Sequence, residues 1–284
     1  MGYAGLTLSC TSITSFPPST QPAVPPEPVT AGWLRYVGHA TVDLEVGGTR
    51  VVTDPVLRAR IGPLRRYGAR PDPGILDAAD VIAVSHLHHD HLDLPSLRRF
   101  PPDIPVIVPR GAGALAARAG AREVLELVVG EEVVVGDLTV RAVPAEHDDR
   151  RGPLGPSARP LGYVFESHGL RAYFAGDTDL FAGMAELRPL DLALLPVWGW
   201  GPTLGAGHMD PAAAARALDI LRPGLAVPIH WGTFFPVGLR RLRPGRLTGP
   251  PVDFAQRARS EAPGVPVQVL QPGGETLFGP EGDL

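Results

Sequence analysis

Residues 85–93 read SHLHHDHLD, placing four histidines and two aspartates in nine positions of a chain with only nine histidines in all. Imidazole is the commonest protein metal ligand and carboxylate binds the same ions, so the stretch predicts a metal site. The preceding VIAVS is a buried-strand pattern that delivers His86 directly past its end. In extended backbone, residues two apart project to the same side, so His86 and His88 can reach one ion together. Asp90 and His91 fall at the turn before a helical segment, where they diverge from the first pair and can hold a second ion nearby.

Four more polar residues sit at predicted strand ends. Asp54 closes VVTD, His147 follows LTVRAVPA, Asp177 follows AYFAG, and His230 follows AVPI. Strand ends converging on one edge of a sheet are how α/β proteins assemble sites. Taken singly each has a plainer reading: Asp54 as a turn residue, Asp177 as a helix N-cap, His147 or His230 as a hydrogen-bonded core histidine. Together with the cluster they favour metal.

The elements that must position these residues are short and numerous. Strands are predicted at 33–37, 41–46, 49–53, 81–84, 106–108, 124–128, 132–135, 138–143, 161–166, 171–175, 191–196, 225–229 and 266–270. Gly47-Gly48, Gly136-Asp137 and His168-Gly169 read as hairpin turns. Helical patterns lie at 94–99, 111–119, 180–187, 211–221 and 252–260. The fourth has Asp210 as N-cap and Pro211 at the first helical position. This mixture predicts an α/β fold, two sheets with helices packed outside them. Residues 1–30, rich in Pro, Ser and Thr, predict a disordered tail; 31–279 reads as one domain and 280–284 as a short C-terminal tail.

Composition narrows the function. The net charge of −4 argues against a general nucleic-acid binder. All 26 basic residues are arginine, and the chain has no lysine and no asparagine, a bias that GC-rich codons produce. The single Cys10 excludes an intrachain disulfide and a cysteine-rich zinc site. No apolar run reaches the roughly 18 residues of a membrane span, so a cytoplasmic protein without a stable membrane anchor is expected.

The order H-x-H-x-D-H, a later His, a "GDT" Asp and a final His resembles the metallo-β-lactamase superfamily. VGHATVDLE, TDPVL, GHMDPAAAARAL and PIHWGTF are similar to the branch holding ascorbate-6-phosphate lactonase and N-acylphosphatidylethanolamine phospholipase D. The resemblance covers residues 33 to about 236 and implies a four-layer αββα sandwich with its site at the shared edge of the sheets. It also implies that His86, His88 and His147 bind one divalent ion, that Asp90, His91 and His230 bind a second, and that Asp177 bridges them. Asp90 would take a proton from the nucleophile and His208 give one to the leaving group. His39, in GHAT, would lie near the metals, and Asp54 would orient a ligand histidine. Zinc is the expected ion, with manganese or iron compatible with the same nitrogen and oxygen donors.

The implied activity is hydrolysis of a phosphodiester or a lactone, on an anionic small molecule or a phospholipid-like substrate. A nuclease of the same fold and a non-hydrolytic iron-binding redox protein are the alternatives. Homo-oligomerisation is compatible with the sequence. Residues 55–71 carry five arginines and no acid, and Arg65 and Arg66 are candidates to grip a phosphate. A solvated loop is the plainer alternative. Trp198 and Trp200, in a Gly-rich loop, are candidate pocket walls, and 148–160 a mobile rim. His89 and His168 read as non-ligands.

Overall fold

The computed structural model describes Met1 and residues 31–280, apart from Pro153, Trp200, Pro202 and Pro244. Residues 2–30, including Cys10, and 281–284 therefore lie outside the described residues, and with them nearly all of both expected tails.

Alternating apolar and polar residues form β1 (Gly32–Gly38), β2 (Thr41–Val46) and β3 (Thr49–Thr53), with Gly47 and Gly48 left-handed at the turn between the last two. Two short strands, β4 (Arg60–Ile61) and β5 (Leu64–Arg66), precede β6 (Val81–Ala83), β7 (Val106–Pro109) and β8 (Val124–Leu127). A meander follows: β9 (Glu132–Val135), β10 (Leu138–Pro144), β11 (Leu161–Ser167) and β12 (Leu170–Phe174). The last strands are β13 (Leu192–Pro196), β14 (Leu225–Ile229), β15 (Phe234–Pro236) and β16 (Glu275–Phe278). The helices are α1 (Ile75–Ala78), α2 (Leu94–Leu97), α3 (Gly113–Arg118), α4 (Pro211–Leu221), α5 (Gly245–Thr248) and α6 (Pro250–Glu261).

One sheet has the order β16-β1-β2-β3-β6-β7-β8 and the other β14-β13-β12-β11-β10-β9. Their inner faces share a core in which Leu34, Tyr36 and Leu44 join Tyr163, Phe165 and Phe174. α2 and α3 cover the outer face of the first sheet, packing Leu97 and Ala116 with Ile82 and Val106. α4 and α6 cover the second, through Leu218, Leu221 and Phe254. The parallel strands β6, β7, β13 and β14 are buried along their whole length, as strands covered on both faces must be. The result is the four-layer αββα sandwich.

In the first sheet β1, β3 and β6 run in one direction; in the second β10, β12 and β14 do. Within three residues of their C-terminal ends stand His39, Asp54, His86, His147, Asp177 and His230. The expected strand-end convergence is the geometry observed.

Three expectations need correction. The predicted strand at 266–270 supplies only an isolated bridge from Val267 to Ala226; the true final strand is β16, on β1. The predicted helix at 180–187 shrinks to a single turn at Met184–Leu187, because Gly183 takes left-handed backbone immediately before it. Residues 55–71 form a hairpin rather than a loop, since β4 and β5 pair with each other and β15 adds to β5. Runs of two or three residues carry too little periodicity to be read as strands.

Candidate metal centre

Hydrogen bonds indicate which nitrogen carries the proton in four of these histidines. His91 Nδ1 donates to Asp54 Oδ2 at 2.6 Å, His147 Nδ1 to the Gly207 carbonyl at 2.8 Å, and His230 Nδ1 to the Trp198 carbonyl at 2.8 Å. Ser85 Oγ donates to Asp54 Oδ2 at 2.6 Å, so it accepts from His86 Nδ1 at 2.9 Å. Four imidazoles thus commit Nδ1 outward and aim Nε2 inward.

The inward atoms form two groups. His86 Nε2 and His147 Nε2 each lie 3.0 Å from His88 Nδ1. His91 Nε2 and His230 Nε2 are 3.1 Å apart, with Asp90 and His39 beside them. Asp177 stands between the groups: Oδ2 is 3.2 Å from His91 Nε2, 3.9 Å from His147 Nε2 and 3.4 Å from His208 Nε2. Oδ1 is 3.1 Å from His230 Nε2. That last contact is close but is no hydrogen bond, because His230 holds its proton on Nδ1, and Oδ1 is left buried without a donor. Buried acceptors facing one another are unfavourable unless something positive lies among them. The donor set fits cations, three nitrogens in one group and nitrogen with carboxylate oxygen in the other.

The same charges move the titrations. Burial alone would raise the Asp177 carboxyl, but His230, His91 and the hydrogen bond from His208 hold it well below the usual range. Asp90 behaves alike, with burial overcome by the hydrogen bond from His39 and the charge on His91. Burial lowers His86 and His230 well below the histidine range and brings His147 to about 4. Burial would lower His91 and His208 too, yet Asp177 raises both, with Asp54 adding to the effect on His91.

Backbone strain marks the same place. Of five non-glycine residues at positive φ among the described residues, three are His39, Asp54 and His230. Their chain segments interlock, His230 N donating to the His39 carbonyl at 2.8 Å and His39 N to Thr233 Oγ1 at 2.8 Å. Gly176, at φ +61, allows the Asp177 loop to approach the other sheet, since a Cβ there would lie 2.6 Å from Ser85 Cβ.

A cavity of about 920 Å³ opens beside the donors, lined by His88, His89, Asp90, Asp177 and His208 among polar residues and by Ile61, Pro63, Leu64 and Leu204 among apolar ones. Asp148 and Arg150 of the 148–160 rim reach it. Arg58 lines it too, its guanidinium paired with the buried Asp93.

His39 stands beside the donors as expected, its Nε2 3.0 Å from Asp90 Oδ2 in the second donor group. Several expected roles change. Arg66 turns inward, donating to the Val56 and Arg58 carbonyls and lying over Phe234, so it is not available to a cavity ligand. Arg65 is exposed and does not line the cavity either. Trp198 is buried and packs beneath Arg246, so its contribution is the carbonyl that holds His230 rather than a pocket wall. Trp200 lies outside the described residues. His89 coordinates with no donor group, but its Nδ1 accepts from Arg151 Nη2 at 3.1 Å. Sequence reasoning missed Ser85, Thr233 and Arg151. Only Ser85, adjoining the motif, carried a readable signal.

Residues 49–231 match the family model described as a Beta-lactamase superfamily domain. The chain belongs to the β-lactamase superfamily. A Mycobacterium tuberculosis protein named only as uncharacterized is 34% identical over 218 residues, which cover 71% of this chain and 59% of that one. The chain thus spans less than two-thirds of that relative. A UPF0173 metal-dependent hydrolase from Thermus thermophilus is 36% identical over 242 residues, 84% of this chain and 96% of its own length. Among solved structures, a metallo hydrolase from the archaeon Ignicoccus hospitalis superposes with TM-score 0.66 at 25% identity, covering 89% of this chain and all of that one. The superfamily's metallo-hydrolase fold is therefore the one built here.

Proposed function

We propose that this chain is a metal-dependent hydrolase that carries two divalent cations and cleaves a phosphodiester or a cyclic ester. The observation that carries the reading is the set of inward Nε2 atoms from His86, His91, His147 and His230 around the buried Asp177. His86, His88 and His147 would hold one cation; Asp90, His91 and His230, with His39 at hand, the other; Asp177 would serve both. Cations bound there supply a water of lowered pKa and Lewis-acid stabilisation of a developing oxyanion. Zinc suits the nitrogen-rich donor set.

The chain's own residues complete the chemistry. Asp90 is held ionised, lines the cavity, and takes the proton released by the nucleophile. His39 anchors Asp90 through Oδ2 at 3.0 Å, which fixes the carboxylate's direction. His208 lines the cavity with Nε2 3.4 Å from Asp177, which favours its protonated form. In this reading it gives that proton to the leaving group. The apolar wall of Ile61, Leu64 and Leu204 excludes water and suits a substrate with a hydrocarbon portion.

Metal analysis combined with a hydrolysis screen of bis(p-nitrophenyl) phosphate, lactones and β-lactams tests the proposal. Two equivalents of zinc with phosphodiester or lactone cleavage, and loss of both metal and turnover in His88→Ala, are expected. Full metal content and normal hydrolysis in that variant would refute the ligand assignment. Iron without hydrolysis would replace the reading with a redox one.

A further inference from the structure

The arginine-rich stretch that bypasses the cavity has its own arrangement. Arg60 on β4 stands directly opposite Arg65 on β5. Directly opposed side chains share a face, where like charges repel. Tyr67, two residues beyond Arg65, is flanked by two guanidinium groups, that of Arg65 at 5.9 Å and that of Arg240 at 4.9 Å from the ring centroid. Arg240 belongs to VGLRRLRPGR (237–246), which follows the strand paired with the other edge of β5. Residues 55–71 and 220–252 contain no Asp or Glu, so the small sheet brings together two acid-free segments.

Arg60, Arg65, Arg240, Arg241, Arg243 and Arg246 are exposed, and none of them forms an ion pair among the described residues. Elsewhere on the surface Arg35, Arg110, Arg122 and Arg257 each pair with a carboxylate, whereas exposed Arg98, Arg216 and Arg259 do not. Val237 and Leu242, within the same cationic segment, are 52% and 73% exposed.

We propose that this face docks the protein onto an anionic lipid bilayer. Opposed guanidinium groups with no internal partner are stabilised by external anions, and their spread over two segments suits a surface of many phosphates rather than one small ion. Val237 and Leu242 favour a bilayer, because apolar side chains gain from entering the boundary between headgroups and acyl chains. Single-stranded nucleic acid fits less well, since Arg65 and Arg240 already flank the aromatic ring on which a base would stack. The β4–β5 turn, Ile61 to Leu64, lines the cavity, so docking sets the cavity mouth at the membrane surface.

Co-sedimentation of the full chain with vesicles of phosphatidylglycerol and phosphatidylcholine in equal parts tests this, with pure phosphatidylcholine as control. Binding to the anionic vesicles alone, reversed by salt, is expected. Neutralising each arginine weakens partitioning about fivefold, so R60Q/R65Q/R240Q together lose roughly a hundredfold. The triple variant melts no lower than the parent, because repulsion has been removed, and Leu242→Ser weakens binding in an otherwise intact surface. A parent chain that stays in the supernatant, or a triple variant that sediments like the parent, overturns the proposal. So does a gel shift of single-stranded RNA that the triple variant abolishes while vesicles are ignored.

Discussion

Asp54 and His91 are joined by a 2.6 Å hydrogen bond between two side chains with no solvent exposure. The same carboxylate accepts from Ser85 Oγ at 2.6 Å and from Ser85 N at 2.7 Å, and Ser85 in turn receives His86 Nδ1. One buried aspartate therefore orients a histidine in each donor group, directly in one and through a hydroxyl in the other.

That relay predicts unequal effects of its two members. Asp54→Asn is expected to lower metal affinity about 10- to 100-fold at both groups, measured by chelator competition. Ser85→Ala breaks only the path to His86, so loss confined to the His86, His88 and His147 group is expected, with Ser85→Thr restoring it. Equal losses at both groups in Ser85→Ala would contradict the relay.

Gly176→Ala brings a Cβ to 2.6 Å from Ser85 Cβ at a backbone φ of +61. Both the overlap and the left-handed backbone oppose the methyl group. A destabilisation of about 2–4 kcal/mol is expected from chemical denaturation, together with weaker metal retention because Asp177 is displaced. Wild-type stability would mean that the two sheet ends do not meet this closely in solution.

Arg151 ties the rim to the metal-binding turn, donating through Nη1 to the Leu87 and Leu92 carbonyls and through Nη2 to His89. Arg151→Met keeps the aliphatic stem and removes the donors. Faster amide exchange across 87–92 is the expected result, with a stability loss of about 1–3 kcal/mol. Unchanged exchange would show that the turn holds itself.

The metal-free chain is expected to lose stability as pH falls from ~6.5 toward 4. Burial depresses His86, His88, His147 and His230, with neighbouring histidines adding to it and His147 reaching about 4. The unfolded chain takes up these protons near pH ~6.5, where the folded chain still refuses them. His91 and His208 act oppositely, contributing below pH ~6.5 and losing that contribution as pH rises through their raised values. His89 is lowered by burial as well, so five depressed groups against two raised ones set the direction. Melting temperatures across this range, with chelator present, decide it; a metal-free chain that gains stability on acidification would contradict it.

The order of chemistry was legible before folding. H-x-H-x-D-H placed its donors at a strand end, and VVTD, AYFAG and AVPI announced three more, because strand periodicity and turn residues are local properties. α4 runs over 211–221 as read, since Asp210 caps it through the Ala213 amide and Pro211 presets its first turn. Tertiary structure alone decided where the loop side chains point. Arg65 and Arg66 are adjacent in sequence, yet the pairing of β5 with β15 sends one to solvent and the other inward over Phe234. Trp198, a candidate wall, serves through its carbonyl, and His39, expected near the metals, stands against Asp90. Both depend on left-handed backbone at His39 and His230, held by bonds between segments nearly 200 residues apart (about 194 for His39 and Thr233). No local pattern encodes such a contact, because its stability comes from the packing of two sheets that the sequence specifies separately.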